Sequence, residues 1–220
     1  MTGITFSKIA ADPAAPADII FTKLDFTAWA AQNQTVSDTS AGFAFLPSDY
    51  SDYYMGDIFI NTSFGNPFKQ VITHEIGHAL GLSHPFDGRK KQGDGQSPYD
   101  DEVPNYESVM SYDSANSFLP VSPMQLDLDA AEALYGENLS ARTGATSYNI
   151  DVDKYNPETG FKLREMIHDA DGSDTLTLTS TAITNAGDGV YVNLNSGSFS
   201  NFSNNTKIVD TNTKSTLANF

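Results

Sequence analysis

"VITHEIGHALGLSHP", Val71 to Pro85, decides how the rest of this 220-residue chain is read. It gathers His74, Glu75, His78 and His84 within eleven residues, and the chain holds one further histidine, His168. Val71, Ile72, Ile76, Ala79 and Leu80 recur with helical period, so the stretch predicts an amphipathic helix. Asn66-Pro67 supplies an N-cap and a first helical residue, and Gly81 stops the helix by taking the left-handed conformation. His74 and His78, four apart, then project from one face about a turn apart, close enough to grip a single ion. The reversal at Gly81 lets His84 return to the same point, giving three nitrogens with an open fourth position, as a catalytic zinc requires. Glu75, one helical step from His74, is poorly placed as a ligand. It is well placed beside a metal-bound water, whose proton a carboxylate can take and later pass to a leaving amine. The competing reading is an apolar helix that happens to carry imidazoles, and the offsets of Gly81 and His84 weigh against it.

Composition narrows the remaining possibilities. Apolar residues make up 39% of the chain, with 14 Phe and 10 Tyr, enough to form a core. A formal charge of -16 repels phosphate backbones and anionic lipid, which makes nucleic acid an unsuitable partner. With no cysteine, any metal must be held by His, carboxylate, Tyr or backbone oxygen. The first residues lack a basic segment followed by an apolar core, and no run approaches about 18 apolar residues, so neither a cleavable signal nor a membrane span is read.

Short β-branched and aromatic runs, "GITFSKI", "ADIIFTKL", "AGFAFLP" and "GDIFIN", predict a mixed or antiparallel sheet over residues 1 to 62. "FTAWAAQ", Phe26 to Gln32, suits a helical turn or two. Ser83 to Tyr106 is loop-like. "SPMQLDLDAAEALYG" predicts a second helix with Ser122 as N-cap, Pro123 first, an apolar stripe of Leu126, Leu128, Ala131 and Leu134, and Gly136 at its end. Beyond residue 138 the composition turns to Thr, Ser, Asn, Asp and Gly, with alternating strands such as "DTLTLTS" and "GVYVNLN". The expected organisation is therefore α+β, with one domain over 1–138 and an all-β domain over 139–220.

The histidine stretch matches the extended HExxHxxGxxH signature of the metzincin proteases, and "SVMSYD", Ser108 to Asp113, resembles their methionine turn. Pro85 after the third histidine and Tyr112 two residues after Met110 resemble the serralysin branch, the alkaline protease-like zinc metalloproteases. That resemblance implies a zincin-like catalytic domain, a twisted mixed sheet plus an active-site helix, followed by the start of a calcium-binding β-roll. It implies zinc on His74, His78 and His84, with Tyr112 as an additional ligand that swings away to hydrogen-bond the tetrahedral intermediate, and Met110 as a hydrophobic floor. It makes Gly42, Phe43, Ala44 and Phe45 part of the upper edge strand, along which an extended peptide lies antiparallel, favouring broad specificity. It also implies a calcium ion held by Arg142, Gly144 and Thr146 through backbone carbonyls, and by Asp169, Asp171 and Asp174; oxygen ligands suit a hard cation. Asp171 stands where relatives carry glycine, so its side chain either adds a ligand or faces water.

The implied activity is a secreted zinc endopeptidase, a monomer acting on protein or peptide substrates, with a proteinaceous inhibitor as a further partner. The alternatives are an inactive metal-binding pseudoprotease and a calcium-binding interaction module. Both are motivated by departures from the family pattern. No amphipathic helix precedes "TGITFSKI", so either that helix has been lost or the chain is a fragment. The tandem glycine-rich nonapeptides of the β-roll are not found before Phe220, where "DGSDTLTLT" is one degenerate copy at most. The segment from Phe86 to Tyr106 also departs from the family loop; Arg89, Lys90 and Lys91 within it read as a solvated charge cluster.

Overall fold

The computed structural model describes residues 4–8, 17–31, 37–47, 55–64, 69–86, 103, 107–112, 118–137, 142–151, 162–164, 166–169, 172–179, 189–191, 199–203 and 215–216. The architecture is mixed α and β with few helices. Strands β1 (Phe21–Leu24), β2 (Gly42–Ala44) and β3 (Ile58–Asn61) form a sheet in the order β1-β3-β2, with β1 parallel and β2 antiparallel to β3. Strand period sorts the side chains of β3 between two apolar layers. Ile58 and Ile60 pack with Ala44 against Ile72, Ile76 and Ala79 of helix α2 (Lys69–Ala79). Phe59 points to the opposite face, against Phe26 and Trp29 of helix α1 (Phe26–Ala30) and Phe43 and Phe45 around β2. All four residues of β3 are buried, so a continuous apolar run here marks a strand covered on both sides.

Helix α1 is only five residues long and depends on its surroundings. Asp25 caps it by accepting the Thr27 N–H at 2.9 Å, and that bond holds the Asp25 carboxyl below its ordinary pKa. Trp29 sits 4.9 Å from the Phe59 ring and 5.6 Å from that of Phe26. Asn61 is buried at the end of β3; its amide donates to the carbonyls of Asp38 and Ser40 at 3.1 and 2.9 Å, fixing the approach to β2.

Two expectations change. The run at residues 4–8 forms no strand: it is largely exposed, Phe6 by 66%, and joins no ladder among the described residues. Helix α3 spans Gln125–Tyr135 with Met124, not Ser122, at its N-cap. The reason is competition for polar groups. The Met124 N–H is taken by Asp127 at 2.7 Å, while the Ser122 hydroxyl accepts the Met166 N–H at 2.8 Å. The buried face of α3 is also different: Asp127 and Ala131 point inward, whereas Leu126 and Leu134 are 40% and 59% exposed. The expected Asn66-Pro67 start of α2 lies outside the described residues.

Further along, β4 (Phe118–Pro120) pairs in parallel with β6 (Lys162–Arg164), and β5 (Ser147–Asp151) in parallel with β7 (Thr175–Thr179). The β4–β6 ladder joins residues from either side of position 138. Strands β8 (Gly189–Tyr191), β9 (Phe199–Ser203) and β10 (Ser215–Thr216) form an antiparallel ribbon in the order β10-β9-β8. No helix among the described residues is long and apolar enough to cross a membrane.

Candidate metal centre

Helix α2 ends in a Schellman motif, and that motif brings the third histidine back. Gly81 has φ +91°, its N–H bonds the carbonyl of His78 at 2.8 Å, and the N–H of Leu82 bonds the carbonyl of Gly77 at 2.9 Å. The chain reverses there, placing His84 Nε2 at 3.1 Å from His78 Nε2 and 3.3 Å from His74 Nε2.

Each helical histidine is oriented from behind. His74 Nδ1 meets the carbonyl of Val109 at 2.9 Å, and His78 Nδ1 meets that of Leu82 at 2.8 Å. A carbonyl can only accept, so both Nδ1 atoms carry the proton and both Nε2 atoms present lone pairs. A single cation placed among the three Nε2 atoms would serve all of them at once. With Zn–N bonds of about 2.0–2.1 Å at tetrahedral angles, neighbouring nitrogens fall roughly 3.3 Å apart. The measured separations match, so the donor set fits a zinc-sized ion; it is also the one such cluster of ligating side chains among the described residues. Burial draws the His74 pKa down to about 4 against the opposing effect of its bond to Val109, so His74 is neutral and available to a metal at ordinary pH.

Glu75 is buried beside the triad, and burial pushes its carboxyl up to about 8. Its side chain lies directly against the backbone of Gly42: a Cβ on that glycine would stand 2.7 Å from Oε1 and 2.8 Å from Cγ. Ser40, Ala41, Gly42, Gln70, Val71, His74, Glu75 and Tyr112 line a cleft of about 260 Å³ between β2 and α2.

Strand β2 lies at one edge of its sheet among the described residues. The Ala41 carbonyl accepts from Asn61 N–H at 3.0 Å, Phe45 N–H donates to Asp57 at 3.1 Å, and the Phe45 carbonyl accepts from Gly56 N–H at 3.1 Å. Alternation in an antiparallel ladder therefore turns the N–H and C=O groups of Gly42 and Ala44 toward the open edge. Phe43 and Phe45 instead send their rings into the layer around Trp29.

Met110 is buried beneath the helix with Val109 and Leu82. A Cβ added to Gly77 would run into its sulfur, so a side chain at that position would have to displace it. The turn carrying it is held by Asp127 of α3, which accepts from Ser108 Oγ at 2.6 Å and Val109 N–H at 2.7 Å. Burial still raises the Asp127 pKa, against the lowering effect of these donors. Tyr112 is half exposed, with its ring 5.5 Å from that of His74 and 4.7 Å from that of His84. Phe86 stacks on His84 at 4.7 Å.

The residues expected around calcium fall into two small networks. Asp174 Oδ1 accepts the Thr146 N–H at 2.9 Å; a Cβ on Gly172 would lie 2.7 Å from the Gly144 carbonyl oxygen and 3.1 Å from Asp174 Oδ1, so these oxygens crowd one point. Asp169 is bonded by the Tyr148 hydroxyl, and Arg142, itself at φ +54°, donates to Tyr148 and to the His168 carbonyl. Asp171 lies outside the described residues. Sequence reasoning did not single out Asp127, Gly77 or Phe86, and it placed Gly42 in the edge strand without its contact to Glu75. The glycine inside "HEIGH" and the glycine opening "GFAF" were the available signals for two of them.

A family model described as pregnancy-associated plasma protein-A matches residues 29–122, the span holding the triad, Glu75, Met110 and Tyr112. The chain is also similar to metalloprotease AprA of Pseudomonas entomophila, 33% identical over 199 residues covering 76% of this chain and 39% of that protein. Serralysin A of Dickeya chrysanthemi is 36% identical over 144 residues, 60% of this chain and 29% of its own length. Serralysin of Proteus mirabilis is 34% identical over 142 residues, 57% and 28% respectively. The chain thus spans 28% to 39% of the length of these relatives.

Proposed function

We propose that this chain, a serralysin-type metalloprotease by its similarity to those relatives, is a zinc-dependent endopeptidase acting on extended protein substrates. The observation that carries this reading is the convergence of three Nε2 atoms beside a buried carboxylate, at the open edge of a sheet. His74, His78 and His84 hold the ion. Zinc bound there supplies a water acidified to a pKa of roughly 7 and polarises a carbonyl.

The remaining work falls to side chains and backbone. An extended peptide adds to the outer strand by bonding the outward N–H and C=O groups of Gly42 and Ala44, which read no side chain and so favour broad specificity. Glu75 takes the proton of the attacking water and returns it to the leaving amine. Burial raises its affinity for a proton, which favours taking one from the water. The Tyr112 hydroxyl, on a half-exposed ring beside His74 and His84, donates to the oxygen that gains charge as the carbonyl becomes tetrahedral. Met110 underlies the helix and keeps the ligand-bearing turn from shifting.

The family resemblance extends the reading to an extracellular enzyme. It also assigns calcium to the 142–146 and 169–174 loops, supported by the crowding of the Gly144 and Asp174 oxygens. A casein digestion assay tests the activity: cleavage abolished by a chelator and restored by zinc is expected, and a zinc-loaded protein that leaves casein intact would overturn the proposal. For calcium, a rise in Tm on adding the ion is expected, and no shift at millimolar calcium would remove that assignment.

A further inference from the structure

We propose that Phe86 is a positioning residue for the metal centre, a flat apolar wall that fixes the ring of His84 and the resting place of Tyr112. The proposal rests on the zinc reading of the triad.

The three histidines are not held in the same way. His74 and His78 are on one helix, each with Nδ1 against a backbone carbonyl. His84 lies beyond the Schellman turn, on chain that has left the helix, and its ring meets a second flat side chain. Phe86, two residues later, lies nearly parallel to that ring, with an interplanar angle of 6° and centroids 4.7 Å apart. At that spacing the pair is offset-stacked, which fixes a ring plane but leaves the Nε2 lone pair free to point at the ion.

Phe86 also reaches Tyr112, at 5.2 Å between centroids and 51° between planes. Tyr112 in turn lies across His74 and His84. Phe86 therefore touches two groups of the centre that lie off the helix, His84 and the phenol of Tyr112. A side chain of equal bulk that is not flat could fill the volume, yet it would neither set the His84 plane nor offer Tyr112 a face. Groups that orient a ligand from outside the coordination sphere typically contribute 10–100-fold to metal affinity.

The test uses Phe86→Leu and Phe86→Tyr in the full chain. Zinc release is followed with a chromophoric chelator, and the visible spectrum of the Co(II)-loaded protein reports ligand geometry. Phe86→Leu is expected to release zinc at least roughly tenfold faster and to alter the cobalt bands; Phe86→Tyr, which keeps the flat ring, should match the unmodified protein in both. Equal behaviour of Phe86→Leu and the unmodified protein overturns the proposal, as does a Phe86→Tyr variant as impaired as Phe86→Leu. Loss of the fold in Phe86→Leu, read by circular dichroism, also counts against it, since it would make the ring a core element. An unmodified protein that takes up neither zinc nor cobalt would instead overturn the zinc reading on which this one stands.

Discussion

Helices α2 and α3 are the same length, eleven residues, and each buries one carboxylate, yet the two acids are built for opposite tasks. Asp127 of α3 accepts from Ser108 Oγ, Val109 N–H and Met124 N–H. Glu75 of α2 is equally buried, burial is the whole cause of its raised pKa, and no donor among the described residues bonds its carboxylate. A buried acid surrounded by donors is an anchor: it ties α3 to the turn that carries Met110. A buried acid left without donors, at the wall of a cleft and beside three converging imidazoles, is costly to the fold, which fits the base proposed above.

Exchanging each acid should separate these roles. Glu75→Gln is expected to lower peptide hydrolysis by roughly 10³-fold while zinc content and Tm hold or rise, since an unsolvated acid is replaced by a neutral isostere. Equal activity in this variant would remove Glu75 from the chemistry. Asp127→Ala should do the reverse, reducing stability by about 3 kcal/mol in urea unfolding because three donors lose one acceptor in a dry site. Its activity per folded, zinc-loaded molecule should remain close to that of the unmodified protein. If Asp127→Ala unfolds at an unchanged urea midpoint, the contrast between anchor and base is wrong.

The same contrast predicts how the metal-stripped protein responds to pH. Glu75 is lifted from 4.5 to about 8 on folding, so the folded state binds its proton more tightly, and the associated stability is lost as pH rises toward 8. His74 is depressed from 6.5 to about 4, so its contribution is present above 6.5 and is lost as pH falls toward 4. Between pH 4.5 and 6.5 the contributions of these two groups oppose each other and largely cancel. From pH 6.5 to 8 Glu75 acts without that opposition, and stability should fall by roughly 2 kcal/mol. Asp127 is shifted in the same direction as Glu75, so the Glu75→Gln variant isolates the Glu75 share: its alkaline limb should flatten, and with the opposing effect gone its stability should rise from pH 5.5 to 6.5. Urea unfolding of chelator-treated protein at pH 5.5, 6.5 and 8 measures both limbs.

The helix and turn that bring the three histidines together were legible because their signals are local. Helical period, the glycine stop and the His offsets all lie within Val71 to Pro85, and the backbone obeys them at Gly81. Helix α3 was read less well. Its leucines repeat with the right period, yet the position that decides its rotation is Asp127, whose partners Ser108 and Val109 lie on another segment. No pattern within "SPMQLDLDAAEALYG" announces that an aspartate will outweigh Leu126 and Leu134 in choosing the buried face. Ser122 was likewise assigned to the helix start on local grounds, while its hydroxyl serves Met166, 44 residues away. The outer position of β2 depends on strand order, which composition does not encode.

Gly42 is where the two halves of the reading, the base and the substrate strand, share one atom's worth of space, and it gives the smallest effect expected here. Its backbone N–H and C=O face the open edge while its missing Cβ makes room for Glu75, with 2.7 Å to Oε1. In Gly42→Ala the methyl meets the far end of a flexible side chain, not backbone, so Glu75 can rotate aside and the fold should tolerate the change. Rotation moves the carboxylate off the line to the attacking water, and a displacement of that kind should lower kcat roughly tenfold with KM little changed. Zinc content should stay the same, because neither the triad nor its carbonyl partners touch residue 42. If KM rises instead while kcat holds, residue 42 acts through the substrate strand alone, and the position of Glu75 is set from elsewhere.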